Sequence, residues 1–127
     1  MRSYDVAIAS LALNAPLKWT DNTIAQHRIK DVLSARRGVA RRISFAGLVR
    51  LAVIRQIHTC LGSSVADAVR IANQLLDSGS IGVHDSGQLR LTVDVASLER
   101  ELNQRLADAL ESAPSRTRGR PPRSSKT

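Results

Sequence analysis

Residues 44–62, SFAGLVRLAVIRQIHTCLG, constrain this chain more than any other stretch. Ser44 is a residue type that caps a helix start, and Gly62 one that ends a helix. Between them Phe45, Leu48, Leu51, Ala52, Ile54 and His58 recur at helical spacing, and Val49, Val53, Ile57 and Leu61 fill the other sides. A helix over 45–61 that is apolar nearly all round belongs at the centre of a core, with other elements packed on several of its faces. The remainder of the 127 residues supplies that covering, enough for one compact domain and a tail. Aromatics are only 2% of the chain, so the core is built from Leu, Ile, Val and Ala, a set that favours helices.

The covering elements follow from their periods and stops. Residues 5–13 predict a buried helix with Val6, Ala9 and Leu13 on one face and Ile8, Leu11 and Ala12 widening it; Ser3 or Asp5 caps it. Asn14-Ala15-Pro16 breaks that helix, because Asn tolerates a left-handed backbone and Pro disfavours helix before it. A second helix over 17–27 is expected to turn Leu17 and Ile24 to the core, with Ala25 nearby. After Gly62, Ser63 or Ser64 starts a helix over 65–76 that buries Val65, Ala68, Val69, Ala72, Leu75 and Leu76. Ser78-Gly79 stops it. Residues 81–83 and 88–93 alternate as strands of a hairpin around His84-Asp85-Ser86-Gly87. Asp94 caps a last helix to about residue 110, where Leu98, Leu102, Leu106 and Ala109 or Leu110 form a stripe behind Val95. That stripe suits docking on the chain's own core or a homodimer contact equally. The fold class expected is mainly α with short β-hairpins.

Charge narrows the choice of partner. The net charge is +8, and it is segregated. Residues 1–50 hold nine Lys+Arg against three acids, net +6; residues 51–111 hold five against eight, net −3; residues 112–127 hold five and no acid, net +5. A basic front and a basic tail around a mildly acidic middle point to one polyanionic partner met at two places. Other classes find no support. Cys60 is single, so no internal disulfide forms, and a reducing, cytoplasmic compartment fits. No apolar run is long enough to span a membrane. His27, His58 and His84 lie far apart in sequence, and His58 and Cys60, two apart on a helix, face different ways. They read as a half-buried histidine beside a core cysteine, not a metal pair. With no Gly-rich phosphate loop and no nucleophile–base set, no enzyme, metal or cofactor is expected.

The polar residues of the second helix are the ones able to read DNA. Lys18, Trp19, Asn22, Thr23, Gln26 and His27, with Arg28 just beyond, are left for solvent or ligand. Asn22, Thr23 and Gln26 are uncharged hydrogen-bonders of the kind that read base edges. Downstream, Gly38 marks a turn between two arginine pairs, Arg36-Arg37 and Arg41-Arg42. Four arginines so close repel one another unless an anion lies between them, and the planar guanidinium fork suits phosphate.

By order and composition, residues from Asp5 to Phe45 resemble the MerR-type winged helix-turn-helix: helix, tight turn, recognition helix, basic wing, then a core helix opened by Ser44-Phe45-Ala46-Gly47-Leu48. The resemblance extends over about residues 4–75. It implies that the second helix enters the major groove through Lys18, Trp19, Asn22, Thr23 and Gln26, and that Arg36, Arg37, Arg41 and Arg42 grip the adjacent backbone. The chain departs from the family in two places: Asn14 stands where a glycine is usual in the turn, and the aromatic pair late in the recognition helix is missing. A second resemblance, to the core of an AT-hook, lies in Arg118-Gly119-Arg120-Pro121, although Thr117 stands where a proline is common. A slim, Gly- and Pro-flanked pair of arginines suits the narrow, strongly negative minor groove of A·T-rich DNA, with Arg116, Arg123 and Lys126 on phosphates.

Three units are therefore expected: a winged helix-turn-helix over 1–77, a hairpin and amphipathic helix over 78–111 for packing or dimerisation, and a disordered basic tail over 112–127. The function expected is a small, nucleoid-associated DNA-binding protein acting as a bacterial transcriptional regulator on double-stranded DNA. One alternative is an antitoxin, whose acidic middle or last helix binds a protein partner such as a cognate toxin. Another is a nonspecific nucleoid or RNA-binding protein.

Overall fold

The structure, a computed structural model, describes residues 3–33, 41–77, 81–85 and 90–112. The chain runs β1 (Ser3–Tyr4), α1 (Val6–Leu13), α2 (Leu17–Gln26), β2 (Val32–Leu33), β3 (Arg42–Ser44), α3 (Phe45–Leu61), α4 (Val65–Leu76), β4 (Ile81–Asp85), β5 (Arg90–Asp94) and α5 (Val95–Ser112). It is mainly α with short β-hairpins, as its hydrophobic periods require.

Local chemistry sets the boundaries. Asp5 caps α1, its Oδ1 accepting from the Ile8 N–H at 2.8 Å. Asn14 closes α1 in the left-handed region at φ 55°. Ser44 caps α3 by accepting from the Gly47 N–H at 3.1 Å, and Gly62 ends it at φ 72°. Ser64 caps α4 through the Asp67 N–H, and Asp94 caps α5 through the Ser97 N–H, each at 3.1 Å. The expected stop at Ser78-Gly79 lies outside the described residues; the last described turn of α4 closes on Asp77, whose N–H donates to the Asn73 carbonyl at 3.1 Å.

α3 is the central helix. Leu48, Leu51 and Ile54 have no exposure, and Val49, Val53 and Ile57 are buried beside them. α4 packs along one side of α3 and α1 on another, with Ala9, Ala12, Ala68 and Ala72 letting the backbones approach closely. Arg50 is buried in α3, and its Nη1 donates to Asn73 Oδ1 at 2.7 Å, tying α3 to α4. A three-stranded antiparallel sheet in the order β1-β3-β2 lies at the start of α3, with Tyr4 and Val32 both opposite the fully buried Ile43.

Several expectations need correction. Leu11, expected to widen the buried face of α1, is 55% exposed. The second helix buries Thr20 and Thr23 and half-buries Trp19 and Ile24, while Leu17 is 55% exposed and Ala25 is exposed. Leu17 directly follows Pro16, and the Asn14 turn sets the roll of α2 so that this first position looks outward. Thr20 can be buried because its hydroxyl donates within the helix to the Pro16 carbonyl at 3.4 Å. The first strand of the second hairpin runs further than expected: His84 pairs with Leu91 and Asp85 with Arg90. Those two rungs satisfy backbone groups that a turn at 84–87 would leave unpaired, and Gln88 and Leu89 lie outside the described residues. Cys60 is exposed, since it lies on the last turn of α3 beside the exposed Thr59 and Leu61.

Of the two uses expected of the leucine stripe, the structure shows docking on the chain's own core. α5 lies chiefly against α1 of the same chain. Leu98, Leu102 and Leu106 are buried there, so they are not free for a second protomer; only Leu110 of the stripe is exposed, at 44%. The stripe covers a side of α1 that would otherwise meet water.

Candidate nucleic-acid interface

α2 has two faces of different use. Pro16 opens it, and the turn before it is fixed by N–H donations from Asn14 to the Leu11 carbonyl at 3.1 Å and from Ala15 to the Ser10 carbonyl at 3.0 Å. The inner face anchors the helix. Thr23 is only 4% exposed, and Trp19 is half-buried with the Arg55 guanidinium carbon 4.9 Å from its ring centroid and the His58 ring stacked at 6.3 Å and 25°. His58 also hydrogen-bonds through Nδ1 to the Ser63 carbonyl at 2.7 Å. Trp19 and Thr23, two of the expected base readers, are thus corrected to packing residues, Trp19 against Arg55 and His58 of α3.

The outer face carries the rest. Lys18, Asn22 and Gln26, four residues apart, form one exposed stripe along α2, and Arg28 is exposed just past its end. His27 is half-buried at the C-cap, its N–H donating to the Thr23 carbonyl. A cleft of about 480 Å³ opens beside this end of α2, bounded by Gln26, His27, Arg28, Val32 and Arg41.

Two of the four wing arginines are described, and both have partners. Arg41 Nη1 donates to Asp21 Oδ1 of α2 at 2.8 Å, an ion pair with the two side chains 26% and 51% exposed. Arg42 donates through Nε to Ser3 Oγ at 3.1 Å and through Nη2 to the Ser3 carbonyl at 2.8 Å, so it clips β1 to β3. Arg36 and Arg37 lie outside the described residues, as do Arg116, Arg118, Gly119, Arg120, Pro121 and Arg123 of the tail.

The base of the wing is held by one joint. Asp31 takes a left-handed backbone at φ 67°, and its carbonyl accepts both the Ser44 N–H at 3.2 Å and the Ser44 hydroxyl at 2.9 Å. A Cβ on Gly47 would lie 2.6 Å from that same carbonyl oxygen. The first turn of α3 therefore sits against the chain entering β2, and only glycine permits the approach.

The rest of the described surface is chemically plainer. The outer face of α5 is laced by local pairs such as Arg105–Glu101 at 2.7 Å. Among the described residues no group of three or more His, Cys, Asp or Glu comes together as a metal site, and no helix is long and apolar enough to cross a membrane. Compared with protein-family models, curated proteins and solved structures, the chain matches none.

Sequence reasoning missed Asp21, the Ser3–Arg42 clip and the Asp31–Gly47 joint. Only the last left a signal: Gly47 is a glycine inside a helix start, where a small residue implies close approach. The other two join residues 20 and 39 positions apart. No local pattern encodes such a pairing.

Proposed function

We propose that the protein is a sequence-specific DNA-binding protein, a transcriptional regulator of bacterial type. α2 lies in the major groove and the wing that ends at Arg41 grips the flanking phosphate backbone. The observation that carries this reading is the exposed Lys18–Asn22–Gln26 stripe on a helix anchored through Trp19, Thr20 and Thr23, with Arg28 and Arg41 at its edge. Asn and Gln amides pair with adenine edges, lysine with guanine, and arginine with phosphate. The antiparallel β2–β3 pair, set directly after the helix, supports the resemblance to a winged helix-turn-helix. The Arg118-Gly119-Arg120-Pro121 tail would add a minor-groove contact at high local concentration once α2 is seated. A two-fold operator would need a dimer surface other than Leu98, Leu102 and Leu106, which α1 covers.

The test is a fluorescence anisotropy titration against genomic fragments, including the gene's own upstream region, with nonspecific competitor at two salt concentrations. Full-length protein, a 1–111 truncation and a Lys18→Ala/Asn22→Ala/Gln26→Ala variant are compared. All three substituted side chains are exposed, so folding is preserved. The triple variant is expected to lose roughly a hundredfold in affinity for the selected fragment, at about 1–3 kcal/mol per well-made base contact. Its weak binding to competitor should change far less. If the triple variant binds the selected fragment as tightly as wild type, α2 is not the reading helix; if only the truncation fails, the tail is the principal binder.

A further inference from the structure

We infer that Asp21 is a positioning residue for DNA recognition, holding the Arg41 guanidinium in the orientation in which it meets the phosphate backbone; the inference rests on the DNA-binding reading of α2. Asp21 is the only acid on α2, and it is exposed next to the Lys18–Asn22–Gln26 stripe. An uncompensated carboxylate there repels the phosphates that the surface has to approach. Lys18 lies three residues before it on the same helix, a spacing at which local ion pairs form. The partner is instead Arg41, reached across the fold from the end of the wing at 2.8 Å. Pairs this exposed contribute little to stability, so holding the fold is a poor account of the contact.

The geometry gives the pair a different use. One Nη1 N–H of Arg41 is occupied by Asp21, which fixes the guanidinium plane, and its remaining N–H groups are left to donate. The contact also ties Arg41, directly before β3, to α2, so that the groove contacts and this backbone contact approach DNA in a fixed register. Arg42, the next residue, is already committed to Ser3 and cannot take over this place without opening the β1–β3 edge.

The experiment measures Kd and its salt dependence on the selected fragment for full-length wild type, Asp21→Ala, Asp21→Asn, Arg41→Ala and the Asp21→Ala/Arg41→Ala double variant, with a thermal midpoint for each. Asp21→Ala is expected to weaken binding about tenfold, the loss of one aimed charge-assisted contact, although it removes a negative charge from the DNA-facing surface. Asp21→Asn keeps most of the affinity, because its amide oxygen still accepts from Nη1. The double variant binds like Arg41→Ala alone, since Asp21 acts only through Arg41. Tighter or unchanged binding by Asp21→Ala, or additive losses in the double variant, overturns the inference and makes Asp21 a repelling or idle charge. A large fall in the Asp21→Ala thermal midpoint also overturns it, by making the pair structural. Failure of the DNA-binding reading looks different: wild type itself then shows no selective binding, and this inference falls with it.

Discussion

Leu102→Asp is expected to abolish folding, while Leu110→Asp, two turns further along the same helix, leaves the thermal midpoint nearly unchanged. Leu102 has no exposure and lies where α5 covers α1; Leu110 is 44% exposed. Removing a fully buried leucine side chain alone costs about 2–5 kcal/mol. The aspartate adds an unpaired buried charge worth several kcal/mol more, against a total stability of roughly 5–15 kcal/mol for an ordinary domain. Circular dichroism melts at two protein concentrations check this. If the stripe instead joined two protomers, Leu102→Asp would yield a folded monomer, and the wild-type midpoint would rise with concentration. An intramolecular α1–α5 contact gives a midpoint independent of concentration.

Gly47→Val is expected to be nearly as damaging, and its effect should spread to the wing. The added Cβ starts 2.6 Å from the Asp31 carbonyl oxygen and 3.1 Å from its carbon, both backbone atoms that cannot rotate away. The Val32 side chain, 3.2 Å from the same point, closes the third direction. Either α3 or the strand entry has to move, and overpacking of this kind costs about 1–3 kcal/mol or more. Moving the strand entry breaks the two Ser44 donations to Asp31 and shifts β3, which carries Arg42 and follows Arg41. A substitution one residue earlier, Ala46→Ser, falls on an exposed position and serves as the control. A drop in midpoint of about 10 °C for Gly47→Val, with Ala46→Ser within a degree or two, is the expected pattern. Equal midpoints would mean that the joint is looser than the 2.6 Å approach implies.

How far these features can be read from sequence depends on how local their causes are. α3 was legible from end to end, because its caps, Ser44 and Gly62, and its apolar repeat all lie within 19 consecutive residues. The cap at Asp94 was legible for the same reason, and those at Asp5 and Ser64 were each one of two nearby candidates. The roll of α2 was not. Hydropathy favours Leu17 over Thr20 or Thr23 as a core residue, but roll is set by the left-handed Asn14 and by what α1 and α3 offer. The threonines succeed inside because Thr20 spends its hydroxyl on its own helix.

The candidate site divides along the same line. Lys18, Asn22, Gln26 and Arg28 emerge exposed, as their polarity suggests, while Trp19 turns inward because its large ring finds Arg55 and His58. The arginine pairs stand out in the sequence as composition, whereas the partners of Arg41 and Arg42 depend on strand pairing and helix placement that no short window contains. The leucine stripe of α5 carried the right chemistry and left its partner open, since one apolar seam fits a neighbouring helix or a second chain alike.

The most direct test of the central claim, that the outer face of α2 reads DNA, is an NMR titration. Backbone and side-chain amide shifts of isotope-labelled protein are followed as a selected duplex is added at moderate salt. The account predicts the largest changes at Lys18, Asn22, Gln26 and Arg28, with the Asn22 and Gln26 side-chain amides among them, and changes at Arg41 beside Asp21. Residues buried behind that face, Thr20 and Thr23, should move less, and the outer face of α5 hardly at all. Changes concentrated on α4 or α5 with α2 unperturbed would contradict the account.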